Sequence, residues 1–172
     1  PFIQLKELAS QLPQVAQRYQ SFNDYKFDET KVLFPEEIQR QGFVLSTYNL
    51  ASGMFINQNR QLSFKSLPMR GQLAPIYAIK IADYNHDGYM DIMVGGNFMQ
   101  SKPEVGTYKA GFGALFRGTR DGQLQFIPNT EAGFRIDGAI RDIEDIGIED
   151  KNVLIFTRNN HSTYSIEYAK KN

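Results

Sequence analysis

A chain of 172 residues suits one domain or part of a larger one, and its 41 % hydrophobic share, with 13 % aromatics, is enough for a sizeable core. Lysine plus arginine equals aspartate plus glutamate at 19 each, so no basic field invites nucleic acid and no acidic tail invites a basic partner. Cysteine is absent, which excludes disulfides, thiol catalysis and cysteine-ligated zinc, and no apolar run approaches the roughly 18 residues that span a bilayer. The chain starts Pro1-Phe2-Ile3 and reads as a piece cut from a longer protein, so the lack of a leader is uninformative.

Residues 1–41 read as a helical segment. Phe2, Leu5, Leu8, Ala9 and Leu12 recur at spacings of three and four, as on one helix face. Pro13 breaks or restarts the helix. Ser21 and Asp28 stand where N-caps belong, and Phe34-Pro35-Glu36 starts a last helix that stops at Gly42. This segment carries no chemical motif.

From Phe43 the period falls to two, and residues 42–172 read as short strands. Expected strands are Phe43–Tyr48, Gly53–Ile56, Leu62–Leu67, Ile76–Ile81, Met90–Val94, Ala114–Arg117, Leu124–Ile127, Ala139–Ile143, Val153–Thr157 and Ser162–Tyr168. Asp121-Gly122 is a hairpin-turn signal, and Pro68 and Pro75 bracket a connector. The strands repeat. Gly53–Asn57 through Phe64 aligns with Gly113–Arg117 through Phe126, and Gly138–Asp142 aligns with Ile76–Lys80. Four short strands per repeat of about 40 to 50 residues mark β-propeller blades. The expectation is a mainly β chain holding a partial propeller of about three blades, near 42–68, 75–128 and 136–170, with the middle one complete. Open outer blades would leave unpaired edges, so the piece either self-associates or docks on further blades.

Between two of these strands lies Asp83-Tyr84-Asn85-His86-Asp87-Gly88-Tyr89-Met90-Asp91. Oxygen-bearing side chains fill positions 1, 3, 5 and 9, with glycine at position 6. Calcium takes oxygen ligands at roughly 2.3 to 2.6 Å, and alternate residues of a tight loop can face one centre. Asp83, Asn85 and Asp87 would share it, the Tyr89 carbonyl would face it, and Asp91 would close the cage. An EF-hand needs a bidentate glutamate at position 12, where this chain has Val94, and helices on both sides, where it has β-rich runs. A strand-loop-strand calcium hairpin is therefore expected. The bland alternative is an acidic turn with no ion.

Other chemistry is thin. His86 sits inside the loop, pointing outward, and His161 in a polar turn; neither has a nucleophile in an elbow motif. Asp142 and Glu144 could form a carboxylate pair, though Arg141 beside them favours a salt-bridged surface. Gly111-Phe112-Gly113 lacks the lysine and helix of a phosphate loop. Tyr19, Tyr25 and Tyr48 read as core or sheet contacts rather than a sugar platform.

The run from Asp83 to Phe98 resembles the FG-GAP or VCBS repeat of integrin α-subunit propellers and bacterial surface proteins. The chain as a whole is similar to the C-terminal part of VCBS-repeat proteins of the ASPIC and UnbV type, common in Bacteroidetes, in which a helical segment precedes the last blades. The resemblance implies a seven-bladed propeller with calcium at blade rims and export to the cell surface, outer membrane or periplasm. It implies calcium ligands at Asp83, Asn85, Asp87, Tyr89 and Asp91, and no catalytic residues. The other two blades keep no such loop, and Asp142–Gly147 is a degenerate copy, so one calcium site is expected. The expected function is a non-enzymatic adhesion or binding module for a glycan or protein ligand; the alternative is an accessory propeller of a polysaccharide-active enzyme.

Overall fold

A computed structural model describes residues 3–34, 36–43, 45–103, 105–148 and 151–169. It divides into two compact units, Pro1–Tyr48 and Asn49–Asn172.

The first unit is a set of short helices: α1 (Leu5–Gln11), α2 (Pro13–Arg18), α3 (Phe22–Tyr25), α4 (Thr30–Leu33) and α5 (Glu36–Gln41). Pro13 restarts the chain at the first position of α2, where a missing N–H costs nothing. Ser21 caps α3, its Oγ accepting from the Asp24 N–H at 3.3 Å. Asp28 does not cap α4. Glu29 holds that position, and Asp28 instead accepts from the Tyr19 hydroxyl. Leu8, Val15, Tyr19, Tyr25 and Leu33 form the core of the unit, with Tyr19 and Tyr25 edge-on at 5.5 Å. Individual helices this short are marginal alone, so this packing is what holds them.

The strand expected over 43–48 does not form among the described residues. Phe43, Leu45 and Tyr48 are exposed to solvent, and Val44 and Pro35 lie outside the described residues. Alternation marks a candidate strand, but a strand persists only where a neighbour accepts its backbone hydrogen bonds. Tyr48 accordingly makes no core contact.

The second unit is mainly β. A hairpin of β1 (Gly53–Gln58) and β2 (Gln61–Ser66) stands first. Then comes a four-stranded meander of β3 (Ile76–Ala82), β4 (Asp91–Gly96), β5 (Ala114–Gly118) and β6 (Leu124–Ile127). A three-stranded sheet of β7 (Ala139–Ile148), β8 (Lys151–Asn159) and β9 (Tyr164–Ala169) ends the unit. All pairings are antiparallel, and none of the sheets closes on itself. A one-turn helix, α6 (Asn129–Ala132), follows Pro128. No described helix is long and apolar enough to cross a membrane.

Two features recur along the second unit, in a register shifted from the sequence alignment. Phe55 pairs with Phe64 and Phe116 with Phe126, each as a cross-strand aromatic contact, at 5.4 and 5.9 Å. Phe55 thus corresponds to Phe116, one residue from the sequence alignment. β3 and β7 both carry a bulge, after Ile76 and after Ile140, so Ile76 corresponds to Ile140, two residues from the alignment. Asp142–Gly147 is no loop at all: it is the interior of β7, which runs on to Ile148.

β4 is buried on both faces, which is why Ile92-Met93-Val94 reads as a continuous apolar run. Met93 joins Ala78, Ile140, Ile143, Leu154 and Phe156 in a core shared by the second and third sheets. Val94, one residue on, packs with Ala114 and Phe116 in a separate cluster. A Cβ on Gly95 would come within 2.6 Å of Ile140, so glycine here lets the two sheets approach.

Candidate metal centre

The acidic loop connects β3 to β4 and stands largely exposed at the end of the hairpin. Its path depends on two left-handed residues, His86 (φ 60°) and Gly88 (φ 91°), a conformation glycine takes without steric cost. The loop then folds on itself. The Asp87 N–H is shared by Asp83 Oδ1 (3.1 Å) and Asn85 Oδ1 (3.2 Å), which draws those two oxygens together. Asp83 Oδ2 accepts from the Gly88 N–H at 2.9 Å. Asp87 Oδ1 accepts from the Tyr89 N–H at 2.9 Å, and Asp87 Oδ2 from the Asn85 amide at 2.7 Å. These bonds, first that from the Tyr89 N–H, hold the Asp87 carboxyl below the usual aspartate range.

Asp91 differs from the other three. It is 2 % exposed and opens β4. Its Oδ2 accepts from the Tyr84 N–H at 3.1 Å and its Oδ1 from the Gly118 N–H at 2.9 Å. One carboxylate thus ties the loop neck to the end of β5. Burial raises its pKa, the two N–H bonds oppose that, and the charges of Asp87 and Asp83 add to the rise. The three carboxylates, Asp83, Asp87 and Asp91, are therefore close enough to repel, which is the electrostatic condition a cation relieves.

Among the described residues, no three histidine, cysteine or carboxylate side chains converge to hold an ion by themselves. In this loop the Asn85 amide and the Tyr89 carbonyl would have to complete the set. The donor set, oxygen throughout, fits a hard cation such as calcium rather than zinc or copper. His86 is half-buried rather than standing out in solvent, and His161 lies in a turn with its ring against Gly138.

The remaining candidate chemistry resolves into structure. Glu144 bonds Lys80 at 2.7 Å, and Asp142 Oδ1 accepts from the Ile143 N–H. Arg141 does not bridge to either: it donates to the Asn97 and Ile140 carbonyls and stacks over the Tyr77 ring at 4.3 Å. Sequence reasoning missed Asn97. It is 1 % exposed with φ 86°; its amide donates to Gly111 and Gly138 carbonyls, both at 2.7 Å, and its Oδ1 accepts from the Gly111 N–H at 2.9 Å. The signal was available in Gly95-Gly96-Asn97, since asparagine is the side-chain-bearing residue best suited to a left-handed position.

No protein family model matches this chain, and no curated protein or solved structure matches it.

Proposed function

We propose that the Asp83–Asp91 loop binds one calcium ion, and that the second unit is a piece of a β-propeller serving as a non-enzymatic binding module. The observation that carries the metal reading is the gathering of Asp83 and Asn85 oxygens on the Asp87 N–H, over a buried Asp91 that feels both neighbouring charges. When bound, the ion supplies charge neutralisation; Asp83, Asn85, Asp87, Asp91 and the Tyr89 carbonyl would hold it. The propeller reading is supported by the repeated bulge of β3 and β7 and the repeated aromatic pair of β1–β2 and β5–β6. On that reading β1–β2 is the outer half of a blade whose inner strands come from further blades or a second copy. Resemblance of residues 83–98 to FG-GAP and VCBS repeats supports an exported, surface or periplasmic protein with a glycan or protein ligand.

Isothermal calorimetry with calcium, and melting with calcium or EDTA, test the metal site. Asp87→Ala should lower the melting temperature in calcium and leave it near wild type in EDTA, because ligand stabilises the folded state by mass action. An equal loss in both would leave only an acidic turn. A glycan-array screen with a lyase and hydrolase assay tests the binding module: calcium-independent glycan turnover would overturn it.

A further inference from the structure

The loop makes an inward contact that neither a bound ion nor the turn requires. Tyr84 lies between Asp83 and Asn85, and its main-chain N–H bonds the Asp91 carboxylate. Its ring leaves the loop and packs edge-on against Tyr168 of β9, with centroids 5.4 Å apart and planes at 77°. Both rings lie against the core that joins β3 and β4 to β7 and β8. Tyr168 in turn donates its hydroxyl to Asp145 Oδ2 on β7. Residues 85 and 87–90 of the loop are exposed, so Tyr84 is where the loop meets the next sheet.

We infer that Tyr84 is a latch through which ion binding in the loop tightens the docking of the β7–β9 sheet on the β3–β6 sheet. The reading rests on the calcium site proposed above. Drawing Asp83 and Asn85 onto an ion fixes the backbone on both sides of Tyr84. The ring is then held at one place on Tyr168, and packed contacts of this kind switch between discrete arrangements rather than deforming smoothly. Coupling of this sort is reciprocal: a ring seated on Tyr168 pre-orders the cage and raises calcium affinity. The ring, not the hydroxyl, carries the coupling, because Tyr84 Oη is buried with no hydrogen-bond partner among the described residues.

Hydrogen exchange of the full chain, with and without calcium, tests the latch. Calcium should slow exchange of β9 amides more than of β1–β2 amides, which lie in a separate sheet. Tyr84→Phe should keep that difference. Tyr84→Ala should abolish it and weaken calcium binding by about 5-fold or more in calorimetry. Tyr84→Leu, which keeps apolar cover without the ring geometry, carries the same expectation should the alanine variant fail to fold. Equal slowing in β1–β2 and β9, or a Tyr84→Leu protein with wild-type affinity and wild-type β9 protection, would overturn the latch while leaving the metal site standing. Failure of the wild type to bind calcium would overturn both.

Discussion

Lys80 Nζ lies 2.7 Å from Glu144 Oε2, and the two residues, 64 positions apart, hold the same place relative to the bulges of β3 and β7. Each follows the unpaired residue of its strand's bulge, Tyr77 or Arg141, by three, with Lys80 opposite Met93 and Glu144 opposite Ile155. Tyr77 and Arg141 stand at the same interval and also touch. Equivalent strands of adjacent sheets therefore meet side by side, through side chains of complementary chemistry.

That pair sets an expected pH response. The Lys80 hydrogen bond holds the Glu144 carboxyl below its ordinary range, and the reciprocal bond raises Lys80. Glu144's contribution is present above the ordinary glutamate range and lost as pH falls through its lowered value. Lys80's is present below the ordinary lysine range and lost as pH rises through its raised value. Glu144→Gln should lower the melting temperature slightly at neutral pH in low salt. The difference should shrink at about 1 M salt and vanish in acid, since Glu144 is solvent-exposed and Lys80 only half-buried.

Asn97 should be far more sensitive. Asn97→Ala leaves the Gly111 N–H and the Gly111 and Gly138 carbonyls without their partner and keeps a left-handed backbone, a loss of about 3 kcal/mol or more. Asn97→Gly relieves the backbone and not the lost bonds, so its loss should be smaller by about 1 kcal/mol. Urea denaturation of the three proteins checks the order.

The two aromatic hairpins give a matched comparison. Phe116 is fully buried, and Phe116→Ala should cost about 3–5 kcal/mol in chemical unfolding. Phe55 holds the corresponding place but is 69 % exposed, so Phe55→Ala should cost about 1 kcal/mol or less. If further strands cover β1–β2 in a larger assembly, the same substitution there should cost more than in this chain.

Calcium affinity should fall with acid earlier than ordinary aspartates would dictate. Burial raises the Asp91 pKa, so protons compete for it first. The sign in the metal-free protein is opposite to that of Glu144: folding favours protonated Asp91, which adds stability as pH falls through its raised value. Calorimetric titrations over a series of pH values should show affinity level near neutrality and declining before the usual aspartate range.

Much of this was legible along the chain. Helical spacing at Leu5, Leu8 and Leu12, the break at Pro13, the Ser21 cap and most strands follow from local chemistry, because turn residues and side-chain period act over a few residues. The loop's turn was legible for the same reason: spacing alone brings Asp83, Asn85 and Asp87 together there.

What the loop does to the rest of the protein was not. Asp91 bonding Gly118, Tyr84 seated on Tyr168, and Asn97 tying Gly111 to Gly138 all join residues far apart in the chain. So do the repeat registers, which the bulges after Ile76 and Ile140 shift away from the sequence alignment. The stretch 43–48 makes the same point in reverse. Its alternation is that of a strand, yet the described residues there form no strand and are exposed. Residue type and spacing determine which backbone and side-chain groups seek partners; only the tertiary structure decides which of them find one, because burial and hydrogen bonding are settled between distant segments.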